Sequence, residues 1–145
     1  MATINRKAVR EALATYLDGA LPSAEAVFPY QVSDFAGKSP IVYITSSGSS
    51  REKFTGVGFR STFKLNIHTF VLYPSENTGA GYTEQDAENI LDDLEYQIAS
   101  AILSIGSHAL IKAISYPEQS NADNAVEIGG ETYLHEVVPV EIVSF

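Results

Sequence analysis

The chain has 145 residues, 45% of them hydrophobic, and a formal net charge of −9; it is long enough to bury a core without staples and reads as one domain. It contains no cysteine, which excludes disulfides, thiolate metal sites and cysteine nucleophiles. No stretch approaches the roughly 18 apolar residues of a membrane span, and the opening MATINRKAVREA lacks a signal-peptide apolar run, so neither membrane insertion nor secretion by a cleaved signal is expected.

The charge is unevenly placed. Residues 1–82 hold eight Lys/Arg against six Asp/Glu, whereas residues 83–145 hold twelve Asp/Glu against Lys112 alone. Such asymmetry predicts two surfaces of opposite polarity on one fold. It argues against an embracing grip on nucleic acid, which needs a basic face.

Residues 4–17 predict a first helix. Ile4, Ala8, Val9, Ala12, Leu13, Tyr16 and Leu17 form its apolar stripe, with Thr3 placed to cap it and Gly19 to end it. Arg6, Lys7 and Arg10 occupy its first two turns, where they oppose the helix dipole. They read either as solubilising charge or as a face for an acidic partner. Residues 20–39, with Pro22, Pro29 and Gly37, form a connection, and residues 26–32 within it suit a short edge strand because Pro29 is tolerated only at an edge or bulge. PIVYIT, residues 40–45, is a β-branched strand. The polar, Gly-rich residues 46–58 carry Arg51, Lys53 and Phe54 and are expected to connect two strands as a projecting hairpin tip.

Residues 59–73 give the clearest strand. Phe59, Phe63, Leu65, Ile67, Val71 and Tyr73 fall on odd positions, and Arg60, Thr62, Lys64, Asn66 and His68 on even ones, the alternation of a sheet with one wet face. Phe70 and Leu72 break the pattern: they require a cover, either the first helix or a neighbouring molecule. Residues 74–82 form a loop. Residues 83–105 then predict the main helix, with Ala87, Ile90, Leu91, Leu94, Ile98, Ala101, Ile102 and Ile105 on one face, Thr83 as N-cap, Asp86 three residues on, and Gly106 as the stop. Its other face carries Glu84, Glu88, Asp92 and Glu95. Like charges at that spacing cost about 0.2–0.5 kcal/mol per pair, so the stripe is either an ordinary solvated face or a surface selected to be negative. Residues 109–116 read as a strand, residues 117–130 as a polar acidic segment with a short strand at 126–128, and residues 133–145 as a long strand interrupted by Pro139. The fold class expected is α+β, a mixed or antiparallel β-sheet with two α-helices packed on it.

No constellation carries chemistry at the level of sequence. Gly56-Val57-Gly58 precedes a strand rather than a helix and lacks a third glycine, so it is not a dinucleotide loop. His68, His108 and His135 lie on three different elements with no pair at a ligand spacing, and Glu88, Asp92 and Glu95 make a poor calcium or magnesium site without loop carbonyls. No serine sits in an elbow motif. Catalysis, cofactors and metal are not expected, and a small-molecule pocket is disfavoured by the lack of a convergent polar cluster on the apolar faces.

Element order does point to a family. A first helix ending in YLDGALP is followed by the strand PIVYITSSG and a polar hairpin. The strand FRSTFKLNIHTFVLY, the helix TEQDAENILDDLEYQIASAI and terminal strands complete the chain. Over most of its length this resembles the tail terminator (tail completion) proteins of phages and prophages with long non-contractile tails; the likeness is one of order and texture, not of a short motif. The resemblance implies an α/β domain that assembles as a homo-hexameric ring on the head-proximal end of the tail tube, in the virion, after synthesis in the host cytoplasm. Such a ring stops tube elongation, joins the tail to the head through a connector protein and leaves a channel through which DNA passes without specific binding. Another neck protein, such as a head–tail connector, is the nearest alternative. A closed ring needs two unlike complementary patches per subunit. The expected pair is Arg6, Lys7 and Arg10 against Glu88, Asp92 and Glu95 of a neighbour, with Phe70 and Leu72 as further interface residues. Arg51, Lys53 and Phe54 are expected to contact the tail tube, and Glu118, Asp123 and Glu127 to line the channel.

Overall fold

The computed structural model describes residues 5–54, 58–74, 81–105, 110–111, 113–115 and 121–144. The alternating stretch becomes β3 (Gly58–Leu72), the centre of a six-stranded sheet. On one side it pairs antiparallel with β2 (Ile41–Phe54), which in turn pairs parallel with the short edge strand β1 (Ala26–Phe28). On the other side it pairs antiparallel with β6 (Glu131–Ser144). The outer flank of β6 is shared. β5 (Asn121–Ile128) pairs with its first half and β4 (Ala113–Ser115) with its last residues. With one parallel ladder among antiparallel ones, the sheet is mixed, and the fold is α+β with two helices.

Pro139 does not interrupt β6. It lies opposite Asn66 of β3, in the interval of β6 between the residues paired with β5 and those paired with β4. Among the described residues nothing pairs with that interval from the outer flank, so a residue lacking an N–H is accommodated at a local edge.

Both helices cover one face. α1 (Arg6–Ala20) buries Val9, Leu13, Ala14 and Leu17. Its N-cap is Asn5, whose side chain accepts from the Lys7 N–H at 2.7 Å; Thr3 lies outside the described residues. Gly19 does not end it: the helix runs through Gly19 to Ala20, and the Leu21 N–H closes on the Leu17 carbonyl. α2 (Glu84–Ser104) has the expected capping box: the Asp86 N–H donates to Thr83 Oγ1, and the Thr83 N–H donates to Asp86 Oδ2. Ala87, Leu91, Leu94, Ile98, Ala101 and Ile102 are buried from it. They meet Val42, Ile44, Phe63, Leu65, Ile67, Val71, Leu134, Val138, Val140 and Ile142 of the sheet. Each such side chain contributes roughly 1.5–3 kcal/mol on leaving water. The helices touch through the Tyr16 hydroxyl, which donates to the Ala101 carbonyl at 2.8 Å.

The opposite face has a cover that is not a helix. Phe35, from the segment between β1 and β2, is 4% exposed and packs on Phe70, Tyr43 and Tyr133, with ring centroids 4.9, 6.4 and 5.1 Å away. The expectation that the first helix or a neighbouring molecule covers Phe70 is therefore corrected. Its side chain is buried within the chain's own second core, and Leu72 packs partly buried against that cluster. The β5–β6 turn closes the same end: Gly129, at φ +60°, leaves room for the Asp34 carboxylate, whose Oδ1 would lie 2.5 Å from an added Cβ.

Two segments are more regular than their composition suggests. Residues 46–54 are not a loop but the second half of β2, paired with β3 out to Phe54↔Gly58. A bulge at Ser47 shifts the register between Ser46 and Gly48 and exchanges the two faces of the strand beyond it. Likewise β5 runs over Asn121–Ile128, longer than the expected 126–128, while only Ala113–Ser115 of the expected 109–116 strand is described as one.

Candidate functional site

The chemistry-bearing side chains that converge lie on the sheet face away from the helices. Tyr43 and Thr45 of β2 stand opposite His68 and Asn66 of β3, and Phe70 stands opposite His135 of β6. That register sets His68 and His135 diagonally across one ladder, within side-chain reach. His68 Nδ1 and His135 Nε2 are 3.0 Å apart, and His68 Nε2 is 3.0 Å from Thr45 Oγ1. The rings are within 8° of parallel with centroids 5.2 Å apart. That separation nearly equals the nitrogen–nitrogen distance plus the two ring radii. The rings therefore meet edge to edge, as an in-plane hydrogen bond requires, rather than face to face. One ring donates and the other accepts, and the Thr45 hydroxyl can take either role at the far end.

Aromatic rings frame the pair. Phe70 is parallel to His135 at 4.5 Å, and Tyr43 lies 4.9 Å from His68 at 37°. With Gln31, Asn66, Val126 and Ile128 they enclose a depression of about 430 Å³. Burial holds the Tyr43 phenol above its ordinary pKa, so it stays a neutral hydrogen-bonding group through the physiological range. In the sequence the histidines lie on different elements with no pair at a ligand spacing; the signal that joins His68 to His135 is strand parity combined with the β3–β6 register, and the register is not legible in one sequence.

The residues singled out from sequence are scattered over the surface. Arg10 is tied into its own chain: Nε donates to the Pro29 carbonyl at 2.5 Å and an Nη to Ser46 Oγ at 2.9 Å. It fastens α1 to the sheet edge. Lys7 is exposed and pairs with Glu11 on the same helix at 3.9 Å, and Arg6 is exposed. On α2, Glu88 and Asp92 are exposed and Glu95 half-buried, and none has an ion-pair partner among the described residues. Arg51 is not on a loop tip. The Ser47 bulge turns it to the helix-side face, where its guanidinium lies 5.3 Å from the Phe63 ring centre and donates to Ser61 Oγ at 2.8 Å. Lys53 and Phe54 stand at the far end of β2, where the hairpin outruns β6; Lys53 is exposed. Asp123 and Glu127 belong to β5 rather than to an acidic loop, Glu127 exposed. Gly106, His108, Lys112 and Glu118 lie outside the described residues. Among the described residues no three His, Cys, Asp or Glu side chains converge.

No protein-family model matches the chain, and no curated protein matches it in sequence.

Proposed function

We propose that the chain is a tail terminator: a structural virion protein that closes as a ring, hexameric by the resemblance, on the head-proximal end of a phage tail tube. There it halts elongation and presents the joint to the head. The observation that carries the reading is the order helix, three strands, helix, three strands on a single sheet, the plan on which the resemblance rests.

The charged surfaces add physical support. Glu88 and Asp92 leave a row of exposed carboxylates on α2, and Arg6 and Lys7 a basic end on α1. Surfaces of opposite sign on different elements of one subunit are what a head-to-tail ring contact uses. The face is smaller than the sequence suggested, since Arg10 and Phe70 are engaged inside the chain. The hairpin end at Lys53 and Phe54, beyond the last β6 partner, is the part best placed to reach a tube subunit.

The test combines assembly and charge reversal. Light-scattering mass of the protein, alone and with short tail-tube polymers, is read with electron microscopy of the tube ends. A hexamer-sized particle, or a cap at one end of each tube, is expected. Glu88→Lys with Asp92→Lys should abolish it, and Arg6→Glu with Lys7→Glu in the same chain should restore it. A doubly reversed protein that assembles normally at low salt would sink the charge pairing. A strict monomer that ignores tube ends and binds a portal-side ring instead would replace the terminator with a head–tail connector.

A further inference from the structure

We propose that His68 and His135 form a chelating site for one divalent transition-metal ion of the copper(II) or nickel(II) type. The inference is independent of the ring. It starts from two half-buried imidazoles on neighbouring strands whose nitrogens are held 3.0 Å apart on the sheet face away from the helices. Without a metal the two nitrogens satisfy each other with one shared proton. A metal ion takes both lone pairs instead, and the exchange releases no proton from a neutral pair: His68 carries its hydrogen on Nε2 and His135 on Nδ1. For His68 the receiving oxygen is already present, Thr45 Oγ1 at 3.0 Å from Nε2. Metal-bound histidines ordinarily have such an outer partner, and the Thr45 hydroxyl can accept from Nε2–H when Nδ1 gives its lone pair to the ion.

The donor set also selects among metals. Imidazole nitrogen with oxygen donors, in a chain that has no cysteine thiolate, is the set that suits tetragonal copper(II) and nickel(II). The rings now meet nearly end to end, so each has to turn to aim its lone pair at the ion; the second side-chain torsion of histidine is broad and permits this. No third acidic or imidazole ligand converges among the described residues. The depression of about 430 Å³ beside the pair has room for water as a further ligand.

Copper(II) added to the full chain, followed by calorimetry and electron paramagnetic resonance, tests this. One ion per chain is expected, with hyperfine splitting from two imidazole nitrogens and with nickel(II) bound more tightly than zinc(II). His68→Gln and His135→Gln should each weaken binding at least tenfold and leave a one-nitrogen spectrum. Thr45→Val keeps both ligands and should weaken binding by roughly tenfold. Circular dichroism establishes that each variant is folded, and the wild-type spectrum counts nitrogens without any variant. Absence of stoichiometric copper binding overturns the proposal. So does an unchanged spectrum in the double variant, which would put the ion elsewhere, and so does zinc(II) binding more tightly than nickel(II).

Discussion

Phe35 gives the second sheet face what the helices give the first. It is 4% exposed and touches three other aromatic rings, so its removal leaves a cavity that the flanking segment cannot easily fill. Phe35→Ala should cost roughly 3–5 kcal/mol in urea denaturation; a loss below about 1 kcal/mol would mean that the segment sits on the sheet without contributing to its core. Single residues also show where sequence reading stops. Phe70 and Leu72 were recognisable as breaks in a period-two pattern, because parity is a local property. Their cover was not, because Phe35 sits between Pro29 and Gly37 in a stretch with no period at all. Arg10 was visible as a charge on an amphipathic helix, but its acceptors, the Pro29 carbonyl and Ser46 hydroxyl, belong to the outlet of β1 and to β2. Nothing local announces them.

At the scale of elements, α2 shows two local rules acting in opposite directions. Its reciprocal Thr83–Asp86 cap stabilises the first turn, while the Glu84–Glu88–Asp92 spacing destabilises it by about 0.2–0.5 kcal/mol per pair. Thr83→Ala should therefore lower stability by about 0.5–2 kcal/mol in chemical denaturation, with Thr83→Ser close to wild type. Equal effects of the two substitutions would show that the hydroxyl is not the capping group. The helices, β3 and β6 were legible because burial stamps a period on them. The second half of β2 was not: SSGSSREKF is polar and glycine-containing, and it is a strand because β3 supplies a ladder along its whole length. Strand formation there follows the partner more than the side chains. The bulge at Ser47 then moved Arg51 to the other face, an inversion that no count of alternate positions could have anticipated.

At the scale of the whole molecule, three phenols among the described residues respond to alkali from different places. Tyr43, Tyr82 and Tyr133 are all held above the ordinary value of 10.0, first by burial; Asp86 adds to the effect at Tyr82, and Glu131 and Asp34 add to it at Tyr133. The unfolded chain gives up these protons at lower pH than the folded one. Their contribution to stability is therefore complete below pH 10 and is lost as pH rises through the folded values. The melting temperature should fall above about pH 10, and Tyr43→Phe should flatten that fall. An unaltered alkaline limb in Tyr43→Phe would remove this phenol from the account. Acidic surface charge acts at the same scale in another way: with −9 overall, copies of the chain repel at long range. The ring of the proposal then depends on short-range pairing of local patches and not on net attraction.

The long ladder between β3 and β6 has a mechanical consequence. Its pairs run without a break from Ser61↔Ser144 to Leu72↔Tyr133, and the β2–β3 hairpin extends past the Ser144 end. Tension that pulls the hairpin along the strand axis, while β6 is held at its Glu131 end, loads this ladder in shear. All of its backbone hydrogen bonds then share the load, instead of opening one after another as they do when a sheet is peeled from its edge. The chain is stiff along that axis and weakest across it, where β4 and β1 are only three residues long.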